Sequence, residues 1–374
     1  MRIGFDAKRA FSNSTGLGNY SRDTIRILSE FYSDNKYFLF TPNKDSSKLS
    51  FISERNNTFI RTPESLINKT LKSYWRSKSI VKDLLNNKID IFHGLTHEIP
   101  LGIEKTSIKT VVTIHDLIFI RHPDLYRTID RKIYYRKFES ACKRADKIIA
   151  VSEQTKKDII NFFKIPKSRI TVAYQGCNKI FQNSISVKEK KETLNKYQIP
   201  KNYLLYVGSI EKRKNLLTIL KTIVELPNQK LVVIGKGKSY KVTCLKFIAE
   251  KNLSSRITFL ENISLVEMAA IYQSAQIMIY PSLFEGFGIP ILESLFSKTP
   301  VITSKGGCFS EAGGQDSKYI NPLSVKQMKK AIIEIQESPK IREAMVEKGF
   351  KYAQNFTDKK ISAKLISVYN KLYE

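Results

Sequence analysis

The chain has 374 residues, a length that suits two domains of roughly 150–200 residues better than one. Hydrophobic residues make up 42% and charged residues 26%, which excludes a disordered chain, and no apolar run reaches the ~18 residues that a membrane-spanning helix needs. The formal net charge of +28 predicts attraction to nucleic acid, an anionic membrane or a phosphate-bearing substrate, unless a lysine-rich composition alone accounts for it.

Short apolar, β-branched runs predict strands in both halves, and several are apolar almost throughout, as parallel strands covered on both faces are. In chain order these strands are Arg2–Asp6, Tyr37–Thr41, Thr58–Thr62, Ile89–His93, Thr110–His115, Lys147–Val151, Arg169–Tyr174, Tyr203–Val207, Lys230–Ile234, Ile257–Leu260, Gln276–Tyr280 and Val301–Thr303. The helical patterns that alternate with them include Gly18–Phe31, Asp130–Arg144, Glu153–Phe163, Asn215–Glu225, Leu265–Ser274 and Pro290–Ser297. This alternation predicts an α/β protein with two doubly wound, Rossmann-like domains.

The domain boundary is predicted at a charged segment that has no core pattern and carries Pro200 near its end. We expect an N-terminal domain over residues 1–185, a linker over 186–201 and a C-terminal domain over 202–355. Residues 356–374 have apolar side chains at helical spacing, so they predict a helix that closes the C-terminal domain or packs back on the N-terminal one. The first residues turn polar too early for a signal peptide, which predicts a cytoplasmic chain.

The segment Pro281–Glu293 carries the strongest chemical signal. A buried strand leads into a loop with two glycines, and a helix begins at Pro290, where the first turn tolerates proline. Such a loop directs free backbone N–H groups to the carboxyl edge of the sheet. Glu285 and Glu293 flank the turn, and their carboxylates can accept hydrogen bonds from sugar hydroxyls. Spacing alone fits a purely structural interpretation equally well, in which Glu285 caps the helix and Glu293 lies on its surface.

The sequence E-G-F-G-I-P-I-L-E at residues 285–293 resembles the E-x7-E motif of the retaining glycosyltransferases of family 4. The resemblance extends over nearly the whole chain through further landmarks, which are Thr15–Tyr20, Thr113–Leu117, Val151–Glu153, Tyr206–Leu216 and Gly306–Glu311. It implies the GT-B fold, in which two Rossmann-like domains face each other across a cleft. It also implies a nucleotide-sugar donor on the C-terminal domain, bound by Gly286, Phe287 and Gly288 with Glu285 on the sugar and Glu293 on the ribose.

Arg213 and Lys214 follow a predicted strand and a turn beside the start of a helix. A guanidinium and an ammonium in that position can clamp a diphosphate and offset the charge that builds on it as the glycosidic bond breaks. In similar enzymes this pair has that role. Many relatives carry Arg directly after the strand glycine, where this chain has Ser209, so either this part of the clamp has fewer contacts here or Arg213 supplies it.

Other site residues rest more heavily on the resemblance. It places Gly16 and Gly18 in a loop that faces the donor phosphates or the acceptor, and Glu311 near the phosphates or at a helix cap. It places His115, at the end of a buried strand, against the transferred sugar, with Asp116 to orient it. The predicted catalytic residues are therefore His115, Arg213, Lys214 and Glu285.

Together these features predict transfer of a hexosyl unit from a GDP- or UDP-linked donor to a glycan or lipid-linked acceptor in bacterial polysaccharide or glycolipid synthesis. Retention of configuration is implied by the resemblance alone, and the resemblance to the R-K-N-L subgroup favours mannosyl. The sequence offers no evident enzymic nucleophile, and the departing phosphate can itself accept the acceptor's proton. The alternatives are a GT-B nucleotide-sugar epimerase or glycoside phosphorylase, and then a basic nucleic-acid-binding protein. No nucleic-acid-binding motif supports the last, so we expect no nucleic acid partner.

Two basic, aromatic-rich segments, Leu66–Lys82 and Asp130–Lys147, suit the surface of an anionic membrane, although ordinary amphipathic helices fit them as well. They predict a peripheral contact with the inner face of the cytoplasmic membrane. The four cysteines are widely spaced and form no CxxC pair, and no metal-ligating motif has the required spacing. We therefore expect reduced thiols, no bound metal and no cofactor beyond the nucleotide-sugar substrate.

Overall fold

The structure is a computed structural model that describes residues 1–13, 15–43 and 56–374. The chain divides into two compact units. The N-terminal unit comprises Met1–Gly176 and Phe356–Glu374, and the C-terminal unit comprises Cys177–Asn355.

Each unit contains one parallel sheet. The strands of the described residues are β1 (Arg2–Asp6), β2 (Lys36–Phe40), β3 (Thr58–Arg61), β4 (Ile91–Gly94), β5 (Lys109–Ile114), β6 (Lys147–Ala150), β7 (Ile170–Val172), β8 (Tyr203–Val207), β9 (Lys230–Ile234), β10 (Ile257–Leu260), β11 (Ile277–Tyr280), β12 (Val301–Ser304) and β13 (Lys318–Ile320). The last of these, β13, has no counterpart among the strands predicted from the sequence.

Helices connect the strands in both units. They are α1 (Lys8–Ser12), α2 (Gly16–Phe31), α3 (Leu66–Thr70), α4 (Lys72–Tyr74), α5 (Ile80–Asn86), α6 (Ile118–Arg121), α7 (Thr128–Arg144), α8 (Glu153–Phe163), α9 (Val187–Lys196), α10 (Leu216–Val224), α11 (Ser239–Glu250), α12 (Leu265–Ser274), α13 (Ile289–Phe296), α14 (Phe309–Gly313), α15 (Val325–Glu337), α16 (Pro339–Ala353) and α17 (Asp358–Tyr373). Across the described ranges, no helix has both the length and the apolar character that crossing a bilayer requires.

The strand order reverses beside the first strand of each sheet. The N-terminal sheet has the order β3-β2-β1-β4-β5-β6-β7, and the C-terminal sheet has the order β10-β9-β8-β11-β12-β13. At such a reversal the loops that follow the two neighbouring strands diverge and leave room for a ligand. The predicted fold class, with two doubly wound, Rossmann-like domains, is confirmed.

The burial of the strands explains their almost continuous apolar sequences. All five side chains of β8 are buried, and in β5 only Lys109 is exposed. Helices cover both faces of each sheet, so a strand cannot alternate between an apolar and a solvated face.

The segment predicted to be a linker, residues 186–201, differs in the structure. The C-terminal unit already begins at Cys177, and α9 packs against α12. Ser186 and Glu189 form a reciprocal capping box at the start of α9, and Lys196 at its end pairs with Glu267 at 2.6 Å. The charges that favoured a linker therefore belong to the solvent face of a capped helix.

The two segments predicted to face a membrane are only partly on the surface. Trp75 is fully buried and its Nε1 donates to Asp83 at 2.6 Å. Arg76 pairs with Asp6, the last residue of β1, at 2.7 Å. Phe138 is buried as well. Trp75 and Phe138 therefore belong to the core and Arg76 to an internal ion pair, so these three side chains are not available to a membrane surface.

The C-terminal helix α17 is part of the N-terminal unit and packs on α2. Arg26 and Asp358 join the two helices through an ion pair of 2.9 Å. In the core, His93 contacts the Tyr369 hydroxyl at 2.6 Å through Nδ1 and the Thr113 hydroxyl at 2.8 Å through Nε2. Both ring nitrogens are satisfied out of water, and burial lowers the pKa of His93 to about 3, so the ring is neutral.

Replacing Tyr369 with Phe tests this attachment. The substitution leaves the ring in place but removes a buried hydrogen-bond partner of His93, which is expected to destabilise the N-terminal unit by about 1–3 kcal/mol. Urea unfolding followed by circular dichroism measures the change. Tyr373→Phe, at an exposed position of the same helix, is the control, and equal unfolding midpoints for the two variants would contradict the assignment.

Candidate active site

The candidate site lies where the strand order of the C-terminal sheet reverses. The strands β8 and β11 are direct neighbours there, although they are far apart in sequence. The chain after β8 reaches a short 3₁₀ turn at Lys212–Lys214, and the chain after β11 forms the loop that precedes α13. Because parallel strands end at the same edge, the two predicted motifs meet.

Backbone and side-chain hydrogen bonds join these two segments. The N–H of Leu283 donates to the carbonyl of Arg213 at 2.8 Å. Asn215 has a left-handed backbone with φ of 60°, and its Nδ2 donates to the carbonyls of Pro281 at 3.2 Å and Pro322 at 2.7 Å. Asparagine tolerates this conformation better than most residues, so it can turn the chain into α10 while its amide fixes the opposite loop.

Glu285 is the centre of a buried ion cluster. Its Oε1 lies 2.6 Å from Lys214 Nζ and 2.7 Å from Arg213 Nη1, and it accepts a hydrogen bond of 2.5 Å from the Ser282 hydroxyl. Burial alone would raise the pKa of this carboxyl, but Lys214 and then Arg213 outweigh it and lower the pKa to about 2. Glu285 is therefore ionised, and the cluster has one more positive charge than negative at these three side chains.

The two cations have further partners that fix their positions. Arg213 donates from Nη1 to the carbonyl of Phe284 at 2.5 Å and pairs with Glu211 at 2.8 Å. Lys214 donates to the Tyr280 hydroxyl at 2.5 Å. Burial opposes the charge of Arg213, yet Glu285 and Glu211 raise its pKa above its ordinary value. Both cations are thus preorganised at the edge of the sheet.

The loop between Glu285 and α13 has a backbone that favours glycine at its end. Gly288 has φ of 114°, and a Cβ added there would lie 3.2 Å from Ile291. The buried Cys308 thiol contacts the carbonyls of Glu285 and Phe287 at 3.2 and 3.1 Å, which holds the loop from the following segment. Gly286 is half-buried and Phe287 is buried. The helix α13 therefore begins four residues after Glu285, at the end of a loop that the Cys308 thiol holds in place.

Glu293 and Glu311 lie at the same edge of the sheet but outside the ion cluster. Glu293 is half-buried in α13, and Oε2 accepts a hydrogen bond of 2.9 Å from the buried Tyr272 hydroxyl. Glu311 is half-buried in the first turn of α14, and its carbonyl accepts from Tyr352 at 2.8 Å. Burial raises the pKa of Cys308, and the negative charges of Glu285 and Glu311 add to this effect, which places both carboxylates near that thiol.

The predicted residues of the N-terminal unit form a second group. His115 directly follows β5, and its ring is buried edge-on against Tyr20 of α2, with 4.5 Å between ring centroids. Gly16 and Gly18 begin α2, so they lie in the helix instead of the preceding loop. Gly18 is required by packing, since a Cβ there would come within 2.0 Å of the Asn13 carbonyl oxygen.

The hydrogen bonds of His115 define its tautomer. Nε2 lies 3.0 Å from the carbonyl of Leu95, which can only accept, so Nε2 carries the proton and Nδ1 accepts from Gln175 at 2.9 Å. Burial lowers the pKa of the imidazole to about 4, so the ring is neutral at pH 7. Gln175 and Leu95 orient the ring, whereas Asp116, predicted for that role, accepts from the N–H of Ile118 at 3.1 Å.

The sequence did not single out several residues that hold these groups. Ser282 and Tyr280 lie in or beside the recognised motif, so their polar side chains were a usable signal. Tyr272 and Gln175 reach Glu293 and His115 from distant parts of the chain. A single sequence contains no pattern that pairs such residues, because only folding brings them together.

Two Rossmann-like units, the second with a half-buried cation pair at the reversal of its strand order, are the architecture of the GT-B class of glycosyltransferases. The sequence model of Glycosyltransferase Family 4 matches residues 15–179, and that of Glycosyl transferases group 1 matches residues 188–352. The two matches follow one another over most of the chain, which is therefore a glycosyltransferase built from these two family domains. Enzymes of this class use a nucleotide sugar as substrate.

Relatives and solved structures agree with this assignment. The chain is 29% identical over 269 residues to the O-antigen chain mannosyltransferase RfbU of Salmonella typhimurium, covering 71% of this chain and 70% of the relative. It is 26% identical over 390 residues to the O-antigen chain mannosyltransferase B of Escherichia coli, covering 100% of both. Its fold resembles Anabaena HepE in complex with UDP-glucose, with a TM-score of 0.77, 14% identity and 99% of both chains covered.

Replacing Glu285 with Gln tests the ion cluster. The variant leaves two half-buried cations without their shared carboxylate, so it is expected to destabilise the C-terminal unit by about 3 kcal/mol at pH 7. Because folding lowers the pKa of Glu285 to about 2, the wild type has this stabilisation fully above about pH 5 and loses it as the pH falls toward 2.

Denaturant unfolding at several pH values measures both effects. The difference in free energy of unfolding between wild type and Glu285→Gln should decrease continuously as the pH falls below 5. Glu192→Gln, in an exposed pair at 4.0 Å on α9, is the control and should change stability by less than about 1 kcal/mol. If Glu285→Gln lowers the free energy of unfolding by the same amount at every pH, the ion-pair explanation is contradicted.

Proposed function

We propose that this enzyme transfers a mannosyl unit, with retention of anomeric configuration, from a GDP- or UDP-linked donor to a glycan or lipid-linked acceptor in bacterial polysaccharide or glycolipid synthesis. Two relatives that align with most or all of the chain are O-antigen chain mannosyltransferases, which supports the sugar and the pathway class. HepE, which shares the fold, was solved with UDP-glucose, which supports a nucleotide-diphosphate donor.

The observation that carries the proposal is the pair of half-buried cations, Arg213 and Lys214, at the switch point. A diphosphate has the charge and the oxygen geometry that a guanidinium and an ammonium recognise. We propose that the donor diphosphate binds these cations and that they stabilise the negative charge it gains when the glycosidic bond breaks. Both positive charges come from the chain, and we propose that transfer needs no metal ion.

The remaining donor contacts are assigned by their positions around the pair. Glu285 would contact the transferred sugar while it keeps the cations in place, and Glu293 would accept hydrogen bonds from the ribose. The loop Gly286–Gly288 would offer backbone N–H groups to the donor at the start of α13. Glu311 would lie near the donor phosphates. The half-buried position of Glu293 next to the Tyr272 hydroxyl supports a fixed acceptor of hydrogen bonds.

In the N-terminal unit, we propose that His115 contacts the transferred sugar and that Gly16 and Gly18 approach the donor phosphates or the acceptor. The ring of His115 is neutral and its two nitrogens are engaged by Leu95 and Gln175, which supports a positioning contact instead of proton transfer. The departing phosphate oxygen would then take the proton of the attacking acceptor hydroxyl.

Donor binding is tested by thermal shift with GDP-, UDP-, ADP- and dTDP-sugars. One base class should raise the melting temperature of the wild type, and Glu293→Ala should weaken that donor about tenfold or more because charged hydrogen bonds to the ribose are lost. Glu347→Ala, on an exposed part of α16, is the control and should bind like the wild type. A flat response of the wild type across the whole panel would contradict the proposed donor.

We also propose a peripheral contact with an anionic membrane through the helices α3 and α4. Leu66 and Ile67 are 82% and 67% exposed, and the exposed Lys69 and Lys72 make no ion pair or side-chain hydrogen bond with any described residue. Exposed apolar side chains beside unpaired lysines suit an interface of acyl chains and anionic headgroups.

Sedimentation with phosphatidylglycerol vesicles tests the membrane contact at low salt. Leu66→Ser combined with Ile67→Ser should weaken retention about tenfold or more, since each side chain loses most of its apolar transfer energy. Val187→Ser is the control, because Val187 is equally exposed but belongs to the C-terminal unit. Retention that is unchanged in the double variant, or absent in the wild type, would contradict this contact.

A further inference from the structure

A groove on the N-terminal unit combines an apolar lining with cations that pair with no side chain among the described residues. It lies between α6 and α7 and has a volume of about 380 Å³, within the range of small-molecule sites. Its apolar lining comes from Phe119, Ile120 and Tyr135, and its cationic lining from Arg131, Lys132 and Arg136.

The cationic side chains lie on one continuous face of α7. Positions 131, 132, 135 and 136 are separated by the helical spacings that place residues side by side. Arg131, Lys132 and Arg136 make no side-chain hydrogen bond or ion pair with any residue in the described part of the chain. Three positive charges gathered without a carboxylate favour an anionic ligand.

Packing against the core of the N-terminal unit fixes the apolar side chains of the groove. Phe119 is buried and packs edge-on against Phe138, with 5.2 Å between ring centroids. Tyr135 packs against Phe163 of α8 at 5.3 Å. Beyond the groove, the same helix exposes Ile129 at 73% and Ile133 at 45%, which extends the apolar surface toward solvent. A free phosphate would leave all of this apolar surface in water.

We propose that this groove binds the lipid-phosphate part of a lipid-linked acceptor, with the hydrocarbon chain on the apolar lining and the phosphate on Arg131, Lys132 and Arg136. The hydroxyl that attacks the donor belongs to the glycan attached to that phosphate. The inference rests on the proposed transferase function and makes the acceptor lipid-linked. The helix α6 begins three residues after His115, so the groove and the proposed sugar contact belong to one stretch of the chain. A lipid phosphate has both required features, an apolar chain and a compact anion.

Calorimetric titration with farnesyl phosphate, below the concentration at which it forms micelles, tests the proposal on the full-length chain. Arg131→Gln combined with Arg136→Gln should weaken binding about tenfold or more, because two charge-assisted contacts to phosphate are lost. Lys143→Gln, which removes an exposed cation from the same helix outside the groove, should bind within about twofold of the wild type.

Farnesol and inorganic phosphate, titrated separately, distinguish the two parts of the ligand. Each should bind at least about tenfold more weakly than farnesyl phosphate, since each satisfies only one part of the lining. Equal affinity of wild type and double variant overturns the proposal, and so does inorganic phosphate that binds as tightly as farnesyl phosphate. If the double variant melts below the wild type, Ile120→Asn replaces it as a probe of the apolar lining and should also weaken binding.

Donor binding provides a separate readout for the proposed function. If the wild type binds a nucleotide sugar but not farnesyl phosphate, the groove is not an acceptor site and the transferase proposal stands. If it binds farnesyl phosphate in the groove but no nucleotide sugar, the proposed donor fails and the lipid-phosphate site remains.

Discussion

Two cations that share one carboxylate oxygen, largely out of water, set the character of the C-terminal unit. Removing a charged group from water costs several kcal/mol, so such a cluster persists only when each member has close partners. Glu285 satisfies Arg213 and Lys214, and the Ser282 hydroxyl completes the shell around the carboxylate oxygen. Among Arg213, Lys214 and Glu285 one positive charge is in excess, and Glu211 at the exposed side also pairs with Arg213. The proposed diphosphate contact would therefore meet cations that are already held in place.

The parallel sheet makes this cluster possible. In a doubly wound sheet the first strand has neighbours from both halves of the domain, and here β8 lies beside β11. The cations arrive from the end of one strand and the carboxylate from the end of the other. Asn215 then links the segment after β8 to the loop after β11 by donating to the carbonyl of Pro281, and it also donates to the carbonyl of Pro322. The site is therefore a consequence of topology, with local hydrogen bonds fixing its final geometry.

The N-terminal unit uses burial differently, since its interior histidines are neutral. His93 and His115 have both ring nitrogens satisfied by neutral groups, and burial lowers the pKa of each. The helix α7 of this unit carries three cations that make no side-chain hydrogen bond or ion pair with any described residue, and they lie beside apolar side chains. A rigid, neutral interior with a basic and partly apolar surface suits an acceptor that has both an anionic and a lipid part.

The sequence by itself determined the fold class, because apolar runs of strand length that alternate with amphipathic helices fit few other architectures. It also singled out Arg213, Lys214 and Glu285 as candidate site residues, through the glycine loop, the helix start and the resemblance of these motifs to family 4. Only the tertiary structure decided that these three side chains share one oxygen, that residues 187–196 form a packed helix, that Trp75 is buried and that Arg76 pairs with Asp6. Each of those outcomes depends on a partner distant in sequence. A local sequence pattern does not contain that partner, so it cannot show whether a charge can be buried beside it.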